Sequence, residues 1–188
     1  YSNNWRGKYS SDGGVLTNQA IHLLDALIYN FGHIDNFDVF ADFDKKKLEA
    51  EDLIIINFKH KGGVLSSFKA TTRANNNYRS AIDVIGSKGR IIVKGISLNT
   101  FSKFKNDNLI LNKKYSENFG ENQGAKGGMG FGHKKILNEF LKNKKNSSKH
   151  LEIQHNYYLL KLIHSVYNSI KSRKKFNKIS NKESMLGK

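Results

Sequence analysis

Leu53-Ile54-Ile55-Ile56-Asn57-Phe58-Lys59, then Lys61-Gly62-Gly63, then Val64-Leu65-Ser66-Ser67-Phe68-Lys69-Ala70-Thr71 read in order as strand, turn and strand. Two runs of strand length flank a pair of glycines that tolerate the positive φ of a tight hairpin. The same signal recurs on both sides. Upstream, Phe37, Val39, Ala41 and Phe43 alternate with polar residues, the period of two expected of a half-buried strand. Downstream, Ser80 to Ile85 and Arg90 to Lys94 flank Gly86-Ser87-Lys88-Gly89, a second hairpin turn. Further strands are expected around Ser97 to Lys105 and Leu109 to Tyr115. Hairpin after hairpin gives a mostly antiparallel sheet with one face available for helices.

The ends of the chain read as helical. From Val15 to Phe31, a step of about 100° per residue puts Leu16, Ala20, Leu23, Leu27 and Phe31 within an arc of about 80°. Gly32 follows as the stop signal. Residues 1–14 are polar and Gly-containing, and residues 116–132 are Gly-rich, so both read as irregular. Two more helices are expected: His133 to Lys142, carrying Ile136, Leu137, Phe140 and Leu141, and Gln154 to Ser172, carrying Leu159, Ile163, Val166 and Ile170. Helix, several strands, then helices is the order of an α+β fold: an open, mostly antiparallel β-sheet with helices packed on one face. With no internal repeat and no low-complexity linker, residues 1–188 are read as one domain.

Composition narrows the function classes. No apolar run approaches the ~18 residues of a membrane span. The absence of Cys excludes disulfides and thiolate metal sites, and fits a cytoplasmic protein. A start at Tyr1, without Met, is read as a cut in a longer chain. The net charge of +16 raises the question of nucleic acid. Yet 27 of the 32 basic residues are Lys and 5 are Arg, beside 22 Asn. A phosphate or base reader favours the planar fork of Arg, so nucleic acid is a minor alternative. The charge favours anionic ligands in general.

Two places carry candidate chemistry. Gly127-Gly128-Met129-Gly130-Phe131-Gly132 lacks G-x-G-x-x-G spacing and a βαβ context, so no cofactor-binding residue is assigned there. The first helix is more pointed. Asn18, His22 and Asp25 stand at i, i+4 and i+7, a stripe about 60° wide opposite the apolar arc. A His between an amide and a carboxylate suits a general base, although a solvated polar face has the same spacing. Gly13-Gly14 just upstream permits a sharp turn and close approach to backbone.

Trp5-Arg6-Gly7 followed by Gly13-Gly14-Val15-Leu16-Thr17-Asn18-Gln19-Ala20-Ile21-His22-Leu23-Leu24-Asp25 resembles the signature of the Gfo/Idh/MocA oxidoreductases. It is most similar to members that oxidise UDP-N-acetylglucosaminuronic acid at C3, with W-R-G and then G-G-G-x-L-x-N-Q-G-I-H-x-x-D. Gly132-His133 resembles the family's late G-H, Leu160 to Ser172 its closing helix, and Ser184 to Lys188 a natural C-terminus. The chain departs from the pattern twice. Asp12 stands where the first glycine of the triplet is usual, and Ala20 where Gly precedes I-H.

The resemblance implies the C-terminal domain of a sugar or nucleotide-sugar dehydrogenase using NAD or NADP. The N-terminal Rossmann domain, with the Lys that pairs with the His, would precede this chain. It further implies His22 as catalytic base or its partner, Asn18 positioning a sugar hydroxyl, Arg6 on a substrate carboxylate or phosphate, and Asp25 orienting His22 or making a structural contact. No metal is implied, and homo-oligomers through the open sheet face are. Two rivals remain at this level: a non-enzymatic assembly module that dimerises through its sheet, and a basic nucleic-acid-binding domain.

Overall fold

The computed structural model describes residues 6–43, 48–74, 80–94, 98, 100–106, 136–138, 141, 153–172 and 178–179. The chain divides into two compact units, Tyr1–Ala74 with Ser148–Lys188, and Asn75–Ser147. In the first, two short helices, α1 (Val15–Asn18) and α2 (Ile21–Phe31), precede three strands, β1 (Ile34–Asp42), β2 (Leu53–His60) and β3 (Leu65–Thr71). A long helix, α3 (Ile153–Ser172), completes the unit. The second unit holds β4 (Ala81–Gly86), β5 (Gly89–Lys94) and β6 (Thr100–Asn106). Each triplet of strands forms an antiparallel sheet in sequence order. The fold is therefore α+β and antiparallel, as the alternation implied.

The register shows why one sheet face is dry. Along β2, Ile54, Ile56, Phe58 and His60 are buried, and across it Val39 pairs with Ile56 and Ile56 with Phe68. These side chains meet Leu24, Leu27 and Ile28 of α2 and Leu159, Leu162, Ile163 and Val166 of α3 in one core. The opposite face carries Phe40 and Leu65, 59% and 75% exposed, among polar residues. A register shift between Ile34 and Asn36 lets both Ile34 and Phe37 point inward, although they are three apart. His60 is buried with both ring nitrogens used. Nδ1 donates to the Gly32 carbonyl, which can only accept, at 2.9 Å, and Nε2 lies 2.9 Å from Ser66 Oγ.

The helix expected over Val15–Phe31 is broken. The amides of Gln19 and Ala20 both donate to the Val15 carbonyl, at 3.2 and 3.0 Å, and those of Leu23 and Leu24 both donate to Ala20. Two carbonyls thus take two donors each, and the ladder restarts at Ile21 with a changed phase. The apolar arc changes accordingly: Leu24 and Ile28 are the buried residues of α2 beside Leu27, while Leu23 and Phe31 pack at the core's margin. The hairpins fall where the glycines put them, with His60 N–H bonded to the Val64 carbonyl at 2.8 Å and Gly86 paired with Gly89. Within His133–Lys142, residues 136–138 and 141 are helical. The Leu109–Tyr115 strand, the 127–132 glycines and the Ser184–Lys188 terminus lie outside the described residues.

Leu162 is fully buried and Ile85 is 76% exposed. Leu162→Ala is expected to lower the unfolding free energy by about 2–5 kcal/mol, and Ile85→Thr to leave it within about 0.5 kcal/mol. Urea titration of the two variants beside the parent measures the difference.

Candidate functional site

The site begins with a helix start that has no conventional cap. Gly14 is the N-cap of α1 and makes no side-chain cap bond. Three successive amides are satisfied from elsewhere: Gly14 N–H donates to the Tyr167 hydroxyl at 3.2 Å, Val15 N–H to the Glu51 carbonyl at 2.8 Å, and Leu16 N–H to Glu51 Oε1 at 3.0 Å. The Tyr167 hydroxyl in turn donates to Glu51 Oε1 at 3.1 Å. One residue before β2 and one on α3 therefore do the work of a cap. Glycine is required here for space. A Cβ at Gly14 would sit 2.2 Å from the Glu51 carboxyl, and Gly13 has φ +68 with Thr17 Oγ1 2.4 Å from where its Cβ would be.

Glu51 is 1% exposed, and its Oε2 has no hydrogen-bond partner among the described residues. Burial pushes its pKa up, against the downward pull of its hydrogen bonds, with a small further push from Asp52. Burial, and after it the Glu51 charge, likewise pushes the Tyr167 phenol well above its usual range, which keeps it a donor. Tyr9 packs edge-on to Tyr167 with centroids 5.6 Å apart. Nearby, Arg73 joins Asp52 and Asp42 through its fork, at 2.8 Å from Nε and 2.9 Å from NH1, pinning the mouths of β1, β2 and β3.

On the other side of the entrance Asp12 gathers the chain. Its Oδ1 accepts from Gly7 N–H at 2.7 Å and its Oδ2 from Asn18 Nδ2 at 2.7 Å. Its carbonyl accepts from Thr17 Oγ1 at 2.6 Å. Arg6, exposed, immediately precedes the anchored Gly7, so this carboxylate brings the backbone next to Arg6 and the side chain of Asn18 to one point.

The break at Gln19-Ala20 changes the expected stripe. Asn18 closes α1, while His22 and Asp25 lie on α2, so the three do not share one continuous helix face. His22 is exposed, on the first turn of α2. Asp25 is half-buried, and its Oδ1 lies 2.5 Å from Nε2 of His155 on α3. Among the described residues that bond is the one Asp25 makes, so its carboxylate ties α2 to α3 rather than orienting His22. His155 also meets Tyr29 edge-on, at 6.5 Å. Sequence reasoning missed Glu51 and Tyr167 altogether. The signal was an acid pair, Glu51-Asp52, set against the most apolar strand, and a Tyr on the apolar face of the last helix.

Among the described residues, no cluster of three or more His, Asp or Glu is arranged to hold a metal ion, and no helix is long and apolar enough to cross a membrane. Nor does any described strand run through a Gly-rich turn into a helix, the cradle a dinucleotide pyrophosphate needs. The described residues do not form a dinucleotide site.

Residues 1–92 match the family model of the GFO/IDH/MocA C-terminal domain. The fold is similar to that of the WlbA dehydrogenase from Bordetella pertussis, solved with NADH and UDP-GlcNAcA, at 21% identity and a TM-score of 0.72 over 94% of this chain and 51% of that one. The WlbA dehydrogenase from Chromobacterium violaceum, also solved with NADH and UDP-GlcNAcA, gives 20% identity and 0.76 over 97% and 50%. A levoglucosan dehydrogenase solved with NADH and levoglucosan gives 17% and 0.70 over 94% and 54%. The chain thus spans about half the length of these proteins. No curated protein matches it by sequence.

The raised pKa of Glu51 fixes a pH dependence with a definite sign. Between the ordinary value of 4.5 and the raised folded value, the native state holds a proton that the unfolded state has lost. The stability from this group is complete below the ordinary value and is lost as pH rises through the folded one. Glu51→Gln keeps an acceptor for Leu16 and Tyr167 but does not titrate. Its stability relative to the parent should therefore rise as pH increases from about 4.5 towards neutrality. Thermal unfolding of both proteins across that range checks it, and a constant difference would contradict it.

Proposed function

We propose, on the premise that this chain belongs to the GFO/IDH/MocA family through the C-terminal domain matched over residues 1–92, that it is the substrate-binding half of an NAD-type sugar or nucleotide-sugar dehydrogenase. UDP-N-acetyl-hexuronate is the favoured substrate and its C3 hydroxyl the favoured position. Support for the class comes from the family. Support for the nucleotide sugar comes from the W-R-G and N-Q-x-x-H-x-x-D residues, and from the UDP-GlcNAcA in the WlbA structures of similar fold.

The observation that carries the site assignment is how the first helices divide their faces. Leu24, Leu27 and Ile28 fasten α2 to the core, and Glu51 with Tyr167 fastens the start of α1. That leaves His22 exposed on the first turn of α2, Asn18 half-buried at the end of α1, and Arg6 exposed just before Gly7. Oxidising a carbinol removes a hydride from carbon and a proton from oxygen. Taking the proton as the hydride leaves avoids an oxocarbenium-like cation, and on this reading His22 accepts it. Asn18 holds a sugar hydroxyl in line, and Arg6 takes a carboxylate or phosphate through its paired donors. NAD or NADP accepts the hydride from the domain that precedes this one in the family, and the lysine-rich surface draws in an anionic substrate. On this reading residues 1–188 act as one substrate-binding and oligomerising domain.

In the full-length enzyme, His22→Ala is expected to lower turnover by about 10²- to 10⁴-fold with unchanged cofactor affinity. Asn18→Ala should raise KM for the sugar. Steady-state kinetics with UDP-N-acetylglucosaminuronic acid decide this. A His22→Ala enzyme with parental kcat/KM and an unaltered acid limb would return His22 to an ordinary surface residue.

Association through the open face of the β1–β2–β3 sheet belongs to the same proposal. Phe40 and Leu65 stand on that face, where a second copy would cover them. Light scattering at tens of micromolar is expected to give an oligomer for the parent and a smaller species for Phe40→Lys with Leu65→Lys; a monomeric parent would refute it.

A further inference from the structure

Asp12 is the residue at which this sequence leaves the glycine triplet of the family it resembles, and the structure gives it a specific task. A carboxylate offers only lone pairs. Its Oδ1 is held by the Gly7 backbone N–H and its Oδ2 faces the Asn18 carboxamide, both at 2.7 Å. The end of Asn18 turned to Asp12 must therefore be the NH2 end, so chemistry fixes the amide's orientation. Oδ1 of Asn18 is then the end turned away from Asp12, and it can only accept. Both residues are half-buried, and Thr17 Oγ1 bonds the Asp12 carbonyl, so the pair is held from two sides.

We infer that Asp12 is a positioning residue that turns the Asn18 carbonyl oxygen, a hydrogen-bond acceptor, away from itself, so that the substrate group meeting that oxygen is a donor: a sugar hydroxyl or an acetamido N–H. The inference rests on the proposal that Asn18 touches the sugar, and it narrows which atoms of the sugar Asn18 can meet. A freely turning Asn would accept either kind of group. One fixed by Asp12 discriminates between them, because an acceptor facing an acceptor leaves both unpaired.

The decisive variant is Asp12→Asn in the full-length enzyme. Gly7 N–H is backbone and cannot turn, so the new amide must keep its oxygen on Gly7 and direct its NH2 towards Asn18. Asn18 then has to flip, and its NH2 end becomes the one presented. Every hydrogen bond within the protein survives, so a purely structural role for Asp12 predicts no effect. The inference predicts kcat/KM for the sugar reduced about tenfold or more, mostly through KM, with the melting temperature unchanged. The paired exchange, Asp12→Asn with Asn18→Asp, returns an acceptor to the substrate side and should recover most of the loss, whereas Asn18→Asp alone sets two carboxylates face to face and should not.

A second readout does not depend on turnover. The Asn18 side-chain N–H proton bonded to Asp12, followed by NMR, should exchange slowly in the parent and at least about tenfold faster in Asp12→Asn, where that bond is gone. Parental kcat/KM in Asp12→Asn, parental amide exchange, or failure of the paired exchange to exceed Asn18→Asp would each overturn the inference. If Asn18→Ala also leaves kinetics untouched, then Asn18 does not meet the sugar and the underlying site reading falls as well. A silent Asp12→Asn beside a damaging Asn18→Ala removes the Asp12 inference alone.

Discussion

A four-residue helix cannot hold itself. Nucleating one turn of helix fixes several dihedrals for a single hydrogen bond, so α1 exists because something outside it satisfies its first amides. That something is Glu51, through both its carbonyl and its carboxyl, together with the Tyr167 hydroxyl. Glu51 stands at the threshold of β2 and Tyr167 on α3, so one buried cluster joins the helix start, the sheet and the closing helix. Its cost is visible in the raised pKa of a carboxyl taken out of water. Leaving three helix amides bare would cost about 1–3 kcal/mol each, which offsets the cost of taking that carboxyl out of water.

From that fixed point the candidate site follows by short steps. The α1 start sets Thr17 and Asn18, and Asp12 reaches both while holding Gly7. The restart at Ala20 then sets α2, whose inner residues lock into the core and whose first turn carries His22 outward. Asp25 and His155 brace α2 against α3 behind it. The site thus stands on rigid elements at its back and an anchored loop in front, the division of labour that keeps a reacting geometry reproducible.

The strands were legible because a period of two and a glycine turn are both local properties of sequence. Phe37 to Phe43 shows the alternation, and Leu53 to Thr71 shows the turn, two runs of strand length flanking Lys61-Gly62-Gly63. The break at Gln19-Ala20 was not legible. Neither residue is a helix breaker, and what divides the helix is the competition for the Val15 and Ala20 carbonyls in the folded chain. That break also undid the Asn18/His22/Asp25 stripe, since an i, i+4, i+7 pattern holds only along an unbroken ladder. Glu51 was hidden for another reason. An acid beside an acid reads as solvated surface, and nothing local reports that its partners lie 35 and 116 residues away. Tertiary hydrogen bonds, not motif spacing, chose the partners.

The two departures from the family pattern differ in what they touch. Ala20 is 3% exposed and belongs to the hydrophobic core, so its methyl is directed inward. Asp12 is the opposite case. It is half-buried at the entrance, bonded to the backbone after Arg6 and to the side chain of Asn18, and brings a charge where the pattern has no side chain at all. A buried methyl alters packing by a fraction of a kcal/mol when the core accommodates it. A carboxylate here ties the backbone after Arg6 to the amide of Asn18. On the proposed function, a difference in sugar preference from proteins that carry the glycine triplet traces to Asp12 before Ala20.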